Sequence, residues 1–127
     1  MTVFRFMTAE IARAVHDRQL AEHGGLAGVK DDGLLESAMA RPLNKAAYGE
    51  DDPFALAAAY GYGVVRNHPF ADGNKRTAWV MVRLFLRLNA VAITFEKADA
   101  IQTMLALAAG ELSEDAFAAW LRSHHSP

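Results

Sequence analysis

No cysteine occurs in the 127 residues, which excludes disulfides, thiolate metal sites and cysteine nucleophiles. That absence fits a reducing compartment, so a cytoplasmic protein is the expectation. Long apolar runs are missing as well. The charge-free stretch Phe54–Val65 covers twelve positions and contains two glycines, whereas a bilayer-spanning helix takes about 20 apolar residues. The opening MTVFRFMTAE lacks the basic-then-apolar pattern of a secretory leader. Nor does one sign of charge dominate: 13 Lys and Arg face 15 Asp and Glu, for a net charge of −2. Nucleic-acid binders usually carry a basic surplus or stripe, so direct nucleic-acid contact is not expected, and neither is a membrane.

What is present suits one domain spanning 1–127. Apolar residues make up 52% and charged residues 22%, enough to build a core of ordinary size. The excess of Ala and Leu points to an all-α chain of about six helices. Thr8 reads as the N-cap of a first helix over 8–22, ended by Gly24-Gly25. Asp31 and Asp32 cap a second helix that runs through about Arg41, where Pro42 follows the stop. Residues 42–52 read as an exposed loop. Asp52-Pro53 is a cap followed by proline at the first helical position. The helix it opens, 53–67, is free of charge until Arg66 and should be buried on most sides. Gly61 and Gly63 cost it about 1 kcal/mol each relative to Ala, which close approach of a neighbouring helix would justify. Helices over 74–89, 97–109 and 113–124 complete the bundle, with Asn89 as a C-cap and Ser113 as an N-cap. TVFRF (2–6) and VAITF (91–95) alternate or carry β-branched residues, so a minor pair of short strands is expected there.

Between two apolar helices lies His68-Pro-Phe-Ala-Asp72-Gly73-Asn74-Lys75-Arg76. Asp72-Gly73-Asn74 is a turn signal, and Asn74 stands where an N-cap belongs. The first amides of a helix have no intrahelical partner, and the helix dipole favours an anion beside them. Glycine at the entrance lets a ligand approach the backbone. Together these features predict a phosphate site at the helix start. Lys75 and Arg76 sit in the first turn, where the dipole disfavours cations, and a bound anion would account for them. Asp72 is a hard oxygen ligand of the kind Mg²⁺ takes beside phosphates. His68 is the candidate general base, because histidine titrates near neutral pH. Each residue alone has a plainer reading as a cap, a turn residue or a surface charge. Their conjunction predicts phosphoryl or nucleotidyl transfer, reactions that need positioning and charge neutralisation.

The string His-x-Phe-x-Asp-Gly-Asn-x-Arg resembles the signature of the Fic/Doc superfamily. The continuation Asn-Lys-Arg-Thr-Ala resembles its death-on-curing (Doc) branch, the toxins of type II toxin–antitoxin modules. HD at 16–17, HGGL at 23–26, LESA at 35–38 and FLRLN at 85–89 extend the resemblance over most of the chain. It implies a compact Fic/Doc-type bundle in which His68 deprotonates a target hydroxyl and Asp72 holds Mg²⁺. Gly73, Asn74 and Lys75 would form the anion-binding turn, and Arg76 would contact nucleotide phosphates. Arg66 matches a basic position of Doc-like proteins and would also touch the nucleotide.

The resemblance further implies ATP or another nucleoside triphosphate as co-substrate, and a protein substrate such as the translation factor elongation factor Tu. An antitoxin would neutralise the toxin by inserting a segment that is disordered when free. Fic nucleotidyltransferases usually have Gly where this chain has Lys75, and a second Arg where it has Trp79. Both departures match the phosphate-transferring Doc branch. Gly73 is instead the residue typical of nucleotidyltransferases, so AMP transfer stays open, as does a catalytically silent binding domain. In Fic folds the region of 42–52, here with Lys45 and Tyr48, forms a flap that docks the target peptide. His16 on the first helix is expected to make a structural hydrogen bond. Arg83 and Arg87 are expected on a solvated face paired with carboxylates, and His124 and His125 in a frayed tail.

Overall fold

The computed structural model describes residues 3–127. It is all-α, with six helices: α1 (Ala9–His23), α2 (Asp32–Ala47), α3 (Pro53–Asn67), α4 (Asn74–Leu88), α5 (Lys97–Ala109) and α6 (Glu114–Ser123). The side chains of Thr8, Asp31, Asp52 and Ser113 accept hydrogen bonds from the first turns of α1, α2, α3 and α6, as capping chemistry dictates. Gly24 ends α1 with φ 76°, and Asn89 is the C-cap of α4.

α3 is the axis of the bundle. Every residue from Phe54 to Gly61 is buried, and α2, α4 and α6 pack around it. The two glycines of α3 are where its neighbours come closest. A Cβ on Gly61 would stand 2.8 Å from Val82 Cγ2 of α4 and 3.0 Å from Phe117 Cε2 of α6. One on Gly63 would stand 3.1 Å from the Ala38 Cα of α2. Their cost in helix propensity therefore supports two close helix crossings.

α2 does not stop at Pro42, and the expected loop over 42–52 shrinks to 48–52. Pro42 lies inside the helix and is buried. Proline removes the hydrogen bond to the carbonyl four residues back, which is that of Ala38. This oxygen lies 3.2 Å from the Cβ position of Gly63, so bare backbone of α3 covers the place where the ladder is broken. Tertiary packing carries α2 one more turn, to Ala47.

The short strand pair does not form among the described residues; Thr2 lies outside them. Phe4 and Phe6 do alternate inward, with ring centroids 6.1 and 5.8 Å from Phe85. The backbone between them pairs with a side chain: Arg5 N donates to Asn89 Oδ1 at 2.8 Å, and Asn89 Nδ2 donates to Arg5 O at 3.1 Å. Residues 91–95 meet the C-terminus instead, through a single antiparallel bridge between Ile93 and His125. The tail is not frayed. His124 Nδ1 donates to Trp120 O at 2.7 Å, and the His125 ring packs edge-on against Phe54.

Candidate active site

Loop 68–73 joins α3 to α4, and three side chains determine its course. Phe70 is fully buried and stacks on the His16 ring of α1, with centroids 3.9 Å apart and planes within 8°. His16 Nε2 donates to the Asp72 carbonyl at 2.7 Å, so His16 makes a structural hydrogen bond that holds the loop. Asn74 closes the turn: its Oδ1 accepts from Phe70 N at 3.1 Å and its Nδ2 donates to Phe70 O at 3.0 Å.

That clamp corrects the expected role of Asn74. It is the first residue of α4 and buried, and its side chain reaches back into the loop. The N-cap is Gly73, left-handed at φ 75°, with no capping side-chain hydrogen bond. Of the first amides of α4, Thr77 N takes the Gly73 carbonyl at 3.0 Å. Those of residues 74–76 precede the first helical hydrogen bond and receive no cap. Lys75 and Arg76 stand exposed on the same turn.

A second segment, unnoticed in the sequence, braces the loop from outside. Residues 28–31 run antiparallel to 69–71. Lys30 N and Asp31 N donate to Pro69 O at 2.7 and 3.2 Å, Ala71 N donates to Gly28 O at 3.2 Å, and Val29 bridges Phe70. Gly24, Gly25 and Gly28 all have positive φ. Gly25 also passes the site closely, since a Cβ there would fall 2.8 Å from Asp72 Oδ2. Three glycines within five residues were the signal for this segment. They read as a plain helix stop because nothing local shows which loop they pass.

Asp72 is exposed and its carboxylate is tethered. Oδ1 accepts from Gly73 N at 2.8 Å and Oδ2 from Leu26 N at 3.3 Å. The Gly73 amide, then that of Leu26, hold its pKa below the usual carboxylate range, with help from the charge of Arg76. An ionised carboxylate has about four lone-pair sites, so both oxygens keep capacity for a cation. Among the described residues no cluster of three or more His, Asp or Glu could hold a metal by itself. The donor set suits Mg²⁺, which combines one or two carboxylates with phosphate oxygens, better than a metal caged wholly by protein.

His68 caps the C-terminus of α3 in the left-handed region, at φ 53° and ψ 54°. Few non-glycine residues adopt this conformation, and those that do concentrate at functional sites. The imidazole is exposed, and its Nδ1 lies 3.4 Å from Lys30 Nζ. The structure thus gathers His68, Asp72, Gly73, Asn74, Lys75 and Arg76 on one turn. Arg66 takes another direction. Its guanidinium lies against Gly110 at the C-terminal end of α5, with Nη1 3.1 Å from the Cβ position there, where carbonyl dipoles favour a cation.

The turn at 48–52 is at the far end of the α2–α3 hairpin from His68, about 24 Å along α2 at 1.5 Å per residue. Lys45 pairs with Glu114 at 3.0 Å, so the expected flap position does not border the loop. Segment 28–31 borders it instead. Arg83 and Arg87 have no carboxylate partner among the described residues, and the Arg83 guanidinium lies 5.4 Å from the centroid of the Trp79 ring.

A family model described as the Fic/DOC family matches residues 6–86. The chain belongs to the Fic/DOC family. Within that family it is 36% identical over 119 residues to "Protein kinase doc" of Escherichia phage P1, covering 93% of this chain and 94% of the relative. It is 41% identical over 103 residues to "Toxin Doc" of Mycolicibacterium smegmatis (strain ATCC 700084 / mc(2)155), covering 77% of this chain and 78% of the relative. The match to the family model contains loop 68–73, the bracing segment 28–31 and α4 as far as Leu86.

Proposed function

We propose that this Fic/DOC chain is a Doc-like toxin that transfers the γ-phosphate of ATP, or of another nucleoside triphosphate, to a Thr or Ser hydroxyl of a protein target. One observation carries the reading. α4 begins with an uncapped turn bearing two cations, and the same short loop carries an exposed imidazole and an ionised carboxylate. Uncapped amides beside Lys75 and Arg76 are complementary to phosphate. In this reading they bind the nucleotide together with Gly73, while Asn74 keeps the turn in shape. Asp72 would hold Mg²⁺, which neutralises phosphate charge when bound. His68 takes the proton of the target hydroxyl, the oxygen forms a bond to the γ-phosphorus, and the bond to the departing nucleoside diphosphate breaks. Arg66 joins only if its guanidinium swings from Gly110 towards the nucleotide.

The relatives named as a toxin and as a protein kinase support this choice, as do Lys75 and Trp79, where nucleotidyltransferase relatives have Gly and Arg. A translation factor such as elongation factor Tu is the target class we test first, and an antitoxin is the proposed partner. Gly73, with its left-handed backbone, favours the second reading, AMP transfer on the same scaffold.

ATP labelled at the α or the γ phosphate separates the two. Incubation with candidate translation factors should label the target only from γ-ATP, and label retained only from α-ATP would overturn phosphorylation. His68→Ala should slow transfer by about 10²–10⁴-fold, the usual worth of a general base, with an unchanged helical circular dichroism spectrum. Growth arrest by the wild type and its relief by the same substitution test the toxin role.

A further inference from the structure

A neutral imidazole has one N–H and one nitrogen with a free lone pair. An ammonium has three donors and no acceptor. For a neutral ring, a hydrogen bond across the 3.4 Å between Lys30 Nζ and His68 Nδ1 has only one sense: Lys30 donates, Nδ1 accepts, and the ring proton is on Nε2. In that state neither nitrogen is open, since Nδ1 is engaged and Nε2 is already protonated.

Lys30 is set up for this contact. Its backbone is fixed to the catalytic loop through Pro69 O, so the ammonium extends from a held position. The neighbouring carboxylates are committed elsewhere: Asp31 caps α2 through Leu34 N at 3.0 Å, and Asp32 pairs with Arg13 at 3.0 Å. Among the described residues Lys30 has no carboxylate partner. At 3.4 Å and exposed to solvent, its bond to His68 is long and weak. Phosphate oxygens would bind a lysine ammonium more strongly.

We propose that Lys30 is a latch on the tautomer of His68, released when nucleotide phosphates arrive at the start of α4. Without nucleotide, Lys30 holds the ring in the Nε2–H form. Phosphate draws the ammonium away, and the ring proton moves through solvent from Nε2 to Nδ1. The Nε2 lone pair is then free to take the proton of the target hydroxyl. Proton count is conserved, because Lys30 stays an ammonium and the ring keeps one hydrogen until it accepts the substrate's. Lys30 is a positioning residue for the base and a ligand for the nucleotide. The inference rests on His68 being that base.

The test is ¹⁵N spectroscopy of histidine-labelled full chain at about pH 8, above the ordinary histidine pKa. These spectra separate protonated from unprotonated ring nitrogens. Wild-type His68 should show an unprotonated Nδ1 without nucleotide, and Lys30→Met should move the ring towards Nδ1–H. A non-hydrolysable ATP analogue with Mg²⁺ should move the wild type in the same direction. In steady-state assays Lys30→Met should raise KM for nucleotide by about threefold to fivefold, typical of one exposed charge contact. kcat should stay within about twofold, and Lys30→Arg should restore KM. A wild-type ring already protonated at Nδ1, or a tautomer that ignores both Lys30→Met and the analogue, overturns the latch. The spectra need no turnover, so the two readings fail separately. A fully active His68→Ala would refute the base, while a fixed tautomer with an inactive His68→Ala would refute only the latch.

Discussion

The helices α4 and α6 begin in opposite ways. At the start of α6, Ser113 Oγ accepts from Ala116 N at 3.0 Å. Glu114 and Asp115 place negative charge in the first turn, and α2 brings the cations. Arg41 Nε lies 3.2 Å from both Glu114 oxygens, and Lys45 Nζ lies 3.0 Å from Oε2. Cap, dipole and counterions are all supplied from within the chain. At the start of α4 the cap has no side chain, and the first turn holds Lys75 and Arg76 but no acid. Every sign that α6 satisfies internally is reversed or left open. A helix start built for stability uses its own anion; one built for binding leaves a place for an external one.

The strongest way to break that contrast is to make α4 begin like α6. Gly73→Asp puts a carboxylate at the open turn. Asp tolerates the left-handed backbone better than most residues, and a Cβ there would meet His16 and Leu20 at no closer than 3.7 Å. The new side chain should cap the free amides and repel phosphate. ATP affinity in the presence of Mg²⁺, measured calorimetrically, should fall by about 10- to 100-fold, the equivalent of one lost hydrogen bond to a charged group. The left-handed backbone at φ +75° strains any side chain, so thermal stability should hold or fall slightly. Unchanged affinity would show that the start of α4 is not the nucleotide site.

The converse change is Glu114→Gln, which removes the internal anion of α6 without touching α4. Burial alone would raise the Glu114 pKa; the hydrogen bonds from Arg41 and Lys45 outweigh it and hold the group below the ordinary glutamate value. Its side chain is only 11% exposed, so the loss should exceed that of a surface pair and reach about 1–2 kcal/mol at neutral pH. The sign of the pH dependence follows from the lowered pKa. The stabilisation is complete above the ordinary glutamate range and disappears as pH falls through it to the folded value. Wild type and variant should therefore differ at pH 7 and converge in acid, in urea titrations followed by circular dichroism.

Most of this architecture was legible because local rules and packing agree. Thr8, Asp31, Asp52 and Ser113 each stand before an apolar-periodic run and cap it, and the glycines of α3 implied the close crossings they make. Legibility failed where a distant element decides the outcome. Pro42 reads as a stop, but α3 covers the carbonyl it frees. Arg5 reads as strand, but its partner is the Asn89 side chain, 84 residues on. Within the site, the chemistry-bearing residues share one turn and could be read together. Asn74 could not be placed correctly, since choosing between a cap and a clamp on Phe70 requires the path of the loop. Lys30 was invisible, because it reaches His68 only through a strand-like contact across 38 positions.

The smallest expected effect provides the sharpest control. Ser113→Ala deletes the side-chain cap of α6 and leaves its amides no better served than those of α4. Loss of such a cap costs about 1 kcal/mol, a fall in Tm of about 3–5 °C for a domain of this size. ATP affinity should not change, because no anion is expected at α6 while Glu114 occupies its first turn. A helix start that loses its cap and gains no ligand differs from α4 in its charges, not in its amides. If Ser113→Ala created phosphate binding at α6, uncapped amides alone would suffice, and Lys75 and Arg76 would lose their assigned part. If the variant is merely less stable, as expected, the cations of the α4 turn separate a binding site from a frayed end.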